Sequence, residues 1–207
     1  MIGQTETDKK VALLVTAIAG GGKGTAEEGL RSRGITYATL PFREILDREV
    51  LAESDLGRQI QGFRKLGQLV PNDIILPIIE EAFEKVEGTK LLFLDGFPRN
   101  VEQSKFALER VRHYGYKRIV VLHIDTPTST CLRRLKKRAR DVVDTDPELV
   151  AQRIDEYEEK TVPMIKFLRI NAEDLGIEFY MVDGQNLITN MDAYIRMLDI
   201  GWMSTPV

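Results

Sequence analysis

Near its start the chain carries a lysine and a threonine at the end of a glycine run, and an apolar segment leads directly into them. The segment reads VALLVTAIAGGGKGT over residues 11–25, with Lys23 and Thr25 among its last three positions. Glycines let the backbone turn so that its N–H groups point inward, and a following helix places the positive end of its dipole at the same point. This combination predicts a phosphate site, in which the lysine supplies a mobile cation and the hydroxyl suits Mg²⁺.

The segment matches the general phosphate-loop (P-loop) pattern G-x-x-x-x-G-K-[ST] with two departures. Ala17 stands at the first glycine position, and Gly24 stands where a hydroxyl residue directly follows the lysine. A glycine-rich turn without a ligand is the alternative interpretation. The surroundings favour phosphate binding, because a strand-like run begins at Val11 and a helical pattern continues from the lysine to Gly34.

A second candidate site follows another apolar run, where LLFLDGFPRNVEQ occupies residues 91–103. Asp95 ends the apolar run, and Arg99 follows four residues later. A carboxylate at a strand end suits Mg²⁺, usually through water, and an arginine presents a planar fork to a phosphate. An ordinary loop is the alternative, since Asp-Gly and Pro-Arg pairs are common in turns. Two strand ends with related chemistry favour one shared site.

Apolar strands and helical patterns alternate along the chain, and these elements must position both segments. The strands after the first are predicted at 35–40, 90–95, 118–125 and 177–183. Helical patterns lie between and after them, over 42–86 with breaks, 100–114, 126–138, from 147 onward, and 187–198. The predicted fold class is α/β: a P-loop nucleotide-binding fold with a five-stranded parallel sheet and helices on both faces. Ligands of such sheets bind at the carboxyl ends of the strands.

The composition is that of an ordinary globular enzyme. The 207 residues include 29 Lys and Arg against 32 Asp and Glu, for a net charge of −3, which does not favour nucleic-acid or membrane partners. No apolar run reaches the roughly 20 residues that cross a bilayer, and no signal-peptide pattern is present. Cys131 is the single cysteine, which excludes an internal disulfide and a cysteine-based zinc cluster. We expect a cytoplasmic protein with a single P-loop domain over 1–207.

Three strings resemble the adenylate kinase family of nucleoside monophosphate kinases: GGGKGT at 20–25, LGQLVPND at 66–73 and LDGFPRNVEQ at 94–103. The resemblance extends over most of the chain. Further matching positions are Arg134, Arg138, Arg153, Tyr157, Pro163 and the VDG at 182–184.

This resemblance implies reversible transfer of the γ-phosphoryl group of Mg-ATP to a nucleoside monophosphate, with AMP as the expected acceptor and two nucleoside diphosphates as products. It also implies a small helical acceptor-binding insert, at about 40–70, and a mobile lid. The lid is short here, at about 137–147, and no zinc is expected in it. The protein is expected to act as a monomer.

The resemblance also implies a role for each candidate residue. The donor ATP would be bound by Gly20, Gly21, Gly22, Lys23, Gly24 and Thr25, with Arg134 against its base. The transferring group would be contacted by Lys23, Arg99, Arg138, Arg140 and Arg153. Mg²⁺ would be held, largely through water, by Thr25 and Asp95. The acceptor would be bound by Arg43, Gln68, Leu69, Val70, Gly96, Arg99 and Gln103, with Gln103 reading the base.

The basic run RRLKKRAR at 133–140 has six cationic residues in eight. A solvated helix face and a nucleic-acid patch are the two interpretations that charge alone offers. The four-residue spacing of Arg134 and Arg138 puts them on one side of a helix, where the resemblance implies a phosphate clamp.

The acceptor segment departs from the family pattern S/T-G-D-x-hydrophobic-R, which follows the second strand. Its threonine, glycine, acidic and arginine positions are occupied by Phe42, Arg43, Glu44 and Asp47. An aspartate therefore replaces the arginine of the pattern, and Arg43 or Arg48 is the candidate substitute. Two other functions stay open: another small-molecule P-loop kinase, and a catalytically weak nucleotide-binding relative that acts through a partner.

Overall fold

The computed structural model describes residues 10–86, 89–139 and 142–199. Within these ranges five strands form one parallel sheet in the order β2-β3-β1-β4-β5. The strands are β1 Val11–Thr16, β2 Ala38–Pro41, β3 Leu91–Asp95, β4 Arg118–Asp125 and β5 Glu178–Asp183. The predicted α/β fold with a five-stranded parallel sheet is confirmed.

Helices occupy the connections between the strands and follow the last one. They are α1 Lys23–Arg31, α2 Phe42–Leu51, α3 Asp55–Lys65, α4 Asn72–Glu84, α5 Val101–His113, α6 Thr128–Arg138, α7 Val142–Thr145, α8 Pro147–Glu156, α9 Val162–Ile170 and α10 Met191–Met197. A π-helical segment, Tyr157–Thr161, joins α8 to α9. The helical stretch predicted over 42–86 is thus divided into α2, α3 and α4.

The side chains of β1 alternate between two hydrophobic cores, one on each face of the sheet. Ala12 and Leu14 belong to the core that includes residues of α2 to α5 and of α9. Leu13 and Val15 belong to the core that includes residues of α1 and α10. The sheet is therefore covered by helices on both faces, as the unbroken apolar pattern of β1 predicts.

The order of the strands determines where a ligand cleft opens. The chain leaves β1 and passes β3 to form β2, whereas it leaves β3 and passes β1 to form β4. Because the connections diverge at this point, a crevice lies outside the carboxyl ends of β1 and β3. Asp95 ends β3 opposite Val15 of β1, which brings the second candidate segment beside the first.

The predicted acceptor insert, at about 40–70, contains α2, α3 and the loop before α4. The predicted lid, at about 137–147, contains the end of α6, α7 and the start of α8, while residues 140 and 141 lie outside the described ranges. The division of the chain into core, insert and lid remains a prediction. No helix in the described part of the chain is long and apolar enough to cross a membrane.

Candidate active site

The glycine run between β1 and α1 folds as a tight loop that requires glycine at specific positions. Gly20 and Gly22 have φ values of +77° and +115°, which side chains rarely adopt. A Cβ at Gly20 would lie 2.7 Å from the carbonyl oxygen of Cys131. Gly22 is the N-terminal cap of α1. Because glycine has no side chain, the cap residue offers no side-chain acceptor to the first N–H groups of the helix. An anion can take that place.

The loop also accommodates Ala17, the departure from the glycine pattern. A Cβ at Gly21 would lie 2.9 Å from the Cβ of Ala17, so the glycine at position 21 makes room for the methyl group. The methyl group lines the smaller of the two cavities described below.

The VDG turn after β5 packs directly on the glycine loop. Thr126 Oγ1 donates a hydrogen bond of 2.8 Å to the carbonyl oxygen of Gly21. A Cβ at Gly184 would lie 1.8 Å from that Oγ1, which explains the need for glycine there. Nη2 of Arg134 donates to the carbonyl oxygen of Gly184 at 2.9 Å, so Arg134 lies beside the turn. The segments that contain Thr126, Arg134 and Gly184 therefore meet beside the glycine loop.

The larger cavity, about 670 Å³, lies over the glycine loop. All residues predicted to bind the donor or Mg²⁺ line it: Gly20, Gly21, Gly22, Lys23, Gly24, Thr25, Asp95 and Arg134. The predicted catalytic arginines Arg99, Arg138 and Arg153 line it as well. Arg140, predicted with them, lies outside the described residues.

The smaller cavity, about 190 Å³, is lined by residues of α2, of α3, of the segment before α4 and of the loop after β3. Predicted acceptor residues that line it are Arg43, Gln68, Leu69, Val70, Gly96 and Arg99. The apolar side chains of Phe42 and Leu46 and the guanidinium of Arg64 complete this part of its wall. Arg64 was not among the residues that sequence patterns predicted.

The two cavities meet at a common set of residues. Ala19, Lys23, Arg43, Gly96, Arg99 and Arg153 line both of them. Four of these six residues are cationic. Two anionic groups, one in each cavity, would therefore approach each other between positive charges.

Burial and mutual repulsion lower the pKa values of the central cations. The pKa of Lys23 is lowered from 10.5 to about 8: burial is the largest cause, the charges of Arg99, Arg153 and Arg138 also lower it, and the charge of Asp95 raises it. The pKa of Arg99 is lowered from 12.5 to about 10, mainly by burial and next by the charge of Arg153. Positive charge is thus concentrated beyond what the local acids neutralise, and an anionic ligand would relieve this repulsion.

Arg99 is fixed in place by contacts on several sides. Its Nε donates to the carbonyl oxygen of Gly96 at 2.7 Å, and its guanidinium lies 5.5 Å from the centroid of the Phe42 ring. Thr161, the last residue of the π-helical segment, donates from Oγ1 to the carbonyl oxygen of Arg99 at 2.9 Å. The fork of Arg99 is therefore preorganised at the junction of the two cavities.

Gln103 has a different position from the one expected of a base-reading residue. The side chain is buried, and its Oε1 accepts from the backbone N–H of Arg99 at 2.8 Å. Its Nε2 donates to Oδ1 of Asn72 at 3.0 Å. Gln103 is not among the described residues that line the two cavities. In this structure it supports the Arg99 loop, and base recognition by Gln103 remains a prediction.

Asp144 is a central residue of the site that the sequence analysis missed. Its side chain is 0% exposed, and its carboxylate accepts from Arg138 at 2.7 and 2.8 Å and from Arg153 at 3.1 Å. Burial raises the pKa of Asp144, but the hydrogen bonds and charges of the two arginines outweigh burial and lower it overall. Three aspartates follow the basic run in RDVVDTD, and no pattern in the sequence indicates that Asp144 turns inward.

The donor set at Asp95 and Thr25 fits Mg²⁺. Oδ1 of Asp95 is buried and has no hydrogen-bond partner within the described part of the chain, and Asp95 and Thr25 line the same cavity. Across residues 10–86, 89–139 and 142–199, no cluster of three or more His, Cys, Asp or Glu could hold a metal. Few protein oxygens are typical of Mg²⁺ sites, which keep several waters and use substrate phosphates.

Comparison with known proteins identifies the family. The family model described as adenylate kinase matches residues 15–173, which is more than half of the chain. This chain belongs to the adenylate kinase family. The predicted enzyme class, a nucleoside monophosphate kinase, is confirmed.

Several curated adenylate kinases are similar to this family member. The protein from Porphyromonas gingivalis strain ATCC 33277 is 30% identical over 158 residues, covering 75% of this chain and 80% of the relative. The protein from Stenotrophomonas maltophilia strain R551-3 is 31% identical over 157 residues, covering 75% and 83%. Adenylate kinase 1 from Synechocystis sp. PCC 6803 is 28% identical over 189 residues, covering 89% and 96%.

Proposed function

We propose that this enzyme transfers the γ-phosphoryl group of Mg-ATP to AMP and yields two molecules of ADP, reversibly. The observation that supports the proposal is the junction of two cavities at Lys23, Arg99 and Arg153. The larger cavity lies over a phosphate-binding helix terminus, and the smaller one ends at the same cations. A donor and an acceptor phosphate can meet there.

The donor phosphates would lie on the glycine loop and the N-terminus of α1, with Lys23 reaching the terminal phosphates. Arg134, held beside the VDG turn by its hydrogen bond to Gly184, would lie against the donor base. Asp95 and Thr25 would hold Mg²⁺, which neutralises phosphate charge when it is bound. The chain itself contributes orientation and preorganised charge.

Catalysis would depend on positioning and electrostatics, because phosphoryl transfer requires little covalent chemistry from the protein. Lys23, Arg99 and Arg153 lie on the wall that the two cavities share. Their positive charges would stabilise the negative charge of the migrating phosphoryl group in the transition state. Arg138 contributes from the lid side, since it shares the Asp144 carboxylate with Arg153. We further propose that residues 40–70 bind the acceptor and that residues 137–147 act as a short lid.

An assay of ADP formation from Mg-ATP with AMP, GMP, CMP and UMP tests the proposal. AMP is expected to give the highest kcat/KM. If only another monophosphate is turned over, that monophosphate and not AMP is the acceptor. If none is turned over, the proposal is rejected and the protein is better explained as a catalytically weak nucleotide-binding relative.

Lys23→Met provides the matching test of the donor site. We expect kcat to fall by about 100- to 1,000-fold or more, because the change removes charge at the transferring group. The matched control is Lys136→Met, since Lys136 is exposed on α6 and lies outside the described walls of both cavities. Circular dichroism should show the same fold in both variants, and near-normal turnover of Lys23→Met would refute the donor assignment.

A further inference from the structure

Asp47 forms an ion pair with an arginine of the next helix, beside the smaller cavity. Nη1 of Arg64 lies 2.6 Å from Oδ1 of Asp47, and Nε of Arg43 lies 3.7 Å from Oδ2. Arg64 and Arg43 both line the cavity. Arg48 is exposed on α2 and is not among the described residues that line it. The cation nearest to position 47 on the cavity wall therefore comes from α3.

The packing of α3 on α2 places Arg64 there. A Cβ at Gly57 would lie 2.2 Å from the carbonyl oxygen of Glu49, so glycine is needed for the two helices to approach this closely. Ser54 caps α3 by accepting from the N–H of Gly57 at 2.9 Å. Ile60, one helical turn before Arg64, is fully buried and anchors the same side of α3. Arg64 thus extends from a fixed helix.

The smaller cavity has a strong excess of positive charge. Its charged lining residues are Lys23, Arg43, Arg64, Arg99, Arg153 and Glu156. The charges of Arg64 and Arg43 contribute to lowering the pKa of Arg99, although burial is the larger cause. A doubly charged phosphate monoester would offset part of this excess, whereas a neutral nucleoside would not.

We propose that Arg64 binds the phosphate of the acceptor together with Arg99, and that Asp47 positions Arg64 for this contact. The proposal rests on the proposed function and specifies how its acceptor site works. A guanidinium has five N–H donors, so a contact with Asp47 leaves donors for a phosphate. The side chain of Arg64 is 30% exposed, which keeps it accessible to a ligand that enters the cavity. In this enzyme the acceptor cation is supplied by α3, and the aspartate of α2 orients it.

Arg64→Met is the principal test. We expect the KM for AMP to rise by about 10- to 100-fold, as for loss of a charge-assisted hydrogen bond, with the KM for Mg-ATP changed less than about twofold. The unchanged ATP parameter also reports that the variant is folded. The matched control is Arg58→Met, because Arg58 is exposed on the same helix and lies away from the described cavity walls. Equal AMP parameters for the two variants would overturn the role of Arg64.

Calorimetric binding of AMP and adenosine separates phosphate recognition from base recognition. Arg64→Met should weaken AMP binding by about tenfold or more and leave adenosine binding unchanged. If both ligands are weakened equally, Arg64 contacts the nucleoside and the proposal is wrong. Should the turnover assay select another base, its monophosphate and nucleoside replace this pair of probes.

Asp47→Asn tests the positioning role. On its own it should raise the KM for AMP by about three- to tenfold while kcat stays within about twofold, and it should add nothing in the Arg64→Met background. An equal effect in both backgrounds would show that Asp47 acts independently of Arg64. An inactive wild type would reject the proposed function, whereas an active wild type with an unaffected Arg64→Met variant would reject this inference alone.

Discussion

Replacing Asp144 by asparagine should show how much of the activity depends on holding Arg138 and Arg153 together. The carboxylate accepts three hydrogen bonds from the two guanidiniums, and its side chain is 0% exposed. Asparagine keeps the shape but replaces one accepting oxygen by an N–H₂ group, which would face an arginine donor. At least one hydrogen bond is lost, and the others lose the negative charge of their acceptor.

We expect Asp144→Asn to lower the free energy of unfolding by about 2 kcal/mol. A hydrogen bond to a charged group contributes about 1.5–3 kcal/mol, and breaking a fully buried pair costs about 3–5 kcal/mol. Arg138 and Arg153 are 32% and 25% exposed, so water partly compensates and the lower end applies. If the transition state needs both arginines in place, this loss lowers kcat by about 30-fold, since about 1.4 kcal/mol corresponds to a factor of ten.

The assay is steady-state ADP formation combined with denaturant unfolding, and Asp155→Asn is the matched control. Asp155 is exposed on α8, two residues after Arg153. The pKa of Asp144 is lowered in the folded state, so its stabilising effect is complete above the unfolded pKa, about 4, and is lost as pH falls through the folded value. The stability deficit of Asp144→Asn should therefore shrink below about pH 4. Wild-type kcat in Asp144→Asn would refute the anchoring role.

Three further predictions concern the central cleft. Since the pKa of Lys23 is lowered to about 8, its charge in the free enzyme is lost as pH rises through that value, and kcat/KM for Mg-ATP should decline above about pH 8. Lys23→Arg should lack this decline in a pH–rate profile. A wild-type profile that stays flat to about pH 9.5 would contradict the prediction. Arg99→Ala should raise the KM for the monophosphate at least about tenfold more than that for ATP in steady-state assays, and an effect confined to ATP would reverse the assignment of the two cavities. Gly184→Ala should lower thermal stability and weaken ATP binding by calorimetry, because its Cβ would lie 1.8 Å from Thr126 Oγ1; unchanged values would show that the turn can shift.

The glycine-loop wall of the larger cavity was largely predictable because it is contiguous in sequence. A strand, a glycine turn and a helix follow one another over residues 11–31, and the spacing alone places Lys23 and Thr25 at the helix terminus. Strand β4 coincides with the predicted range 118–125, since a continuous apolar run defines a central strand. The prediction for β2 was three residues early at its start, because this edge strand has only four residues.

The wall of the smaller cavity and the contacts of Asp144 were less predictable, because they depend on how separate helices pack. Nothing in the local pattern of α3 indicates that Arg64 faces Asp47; the contact follows from the close crossing at Gly57. The role of Asp144 likewise becomes visible only in space, where two arginines donate hydrogen bonds to its carboxylate. The partners of Gln103 are also tertiary, which is why a sequence match could not reveal that its carboxamide supports Arg99.

The π-helical segment between α8 and α9 sets the direction in which the side chains of α9 point relative to those of α8. An α-helix advances about 100° per residue, and the wider π turn accommodates a residue that an α turn would not. Arg153 of α8 can therefore face the cavities while Met164 and Leu168 of α9 face the core. Thr161 is the last residue before α9, and its hydroxyl donates a hydrogen bond to the carbonyl oxygen of Arg99. Deleting Glu159 would restore α-helical phase, so the enzyme would have to give up either the buried face of α9 or the inward direction of Arg153.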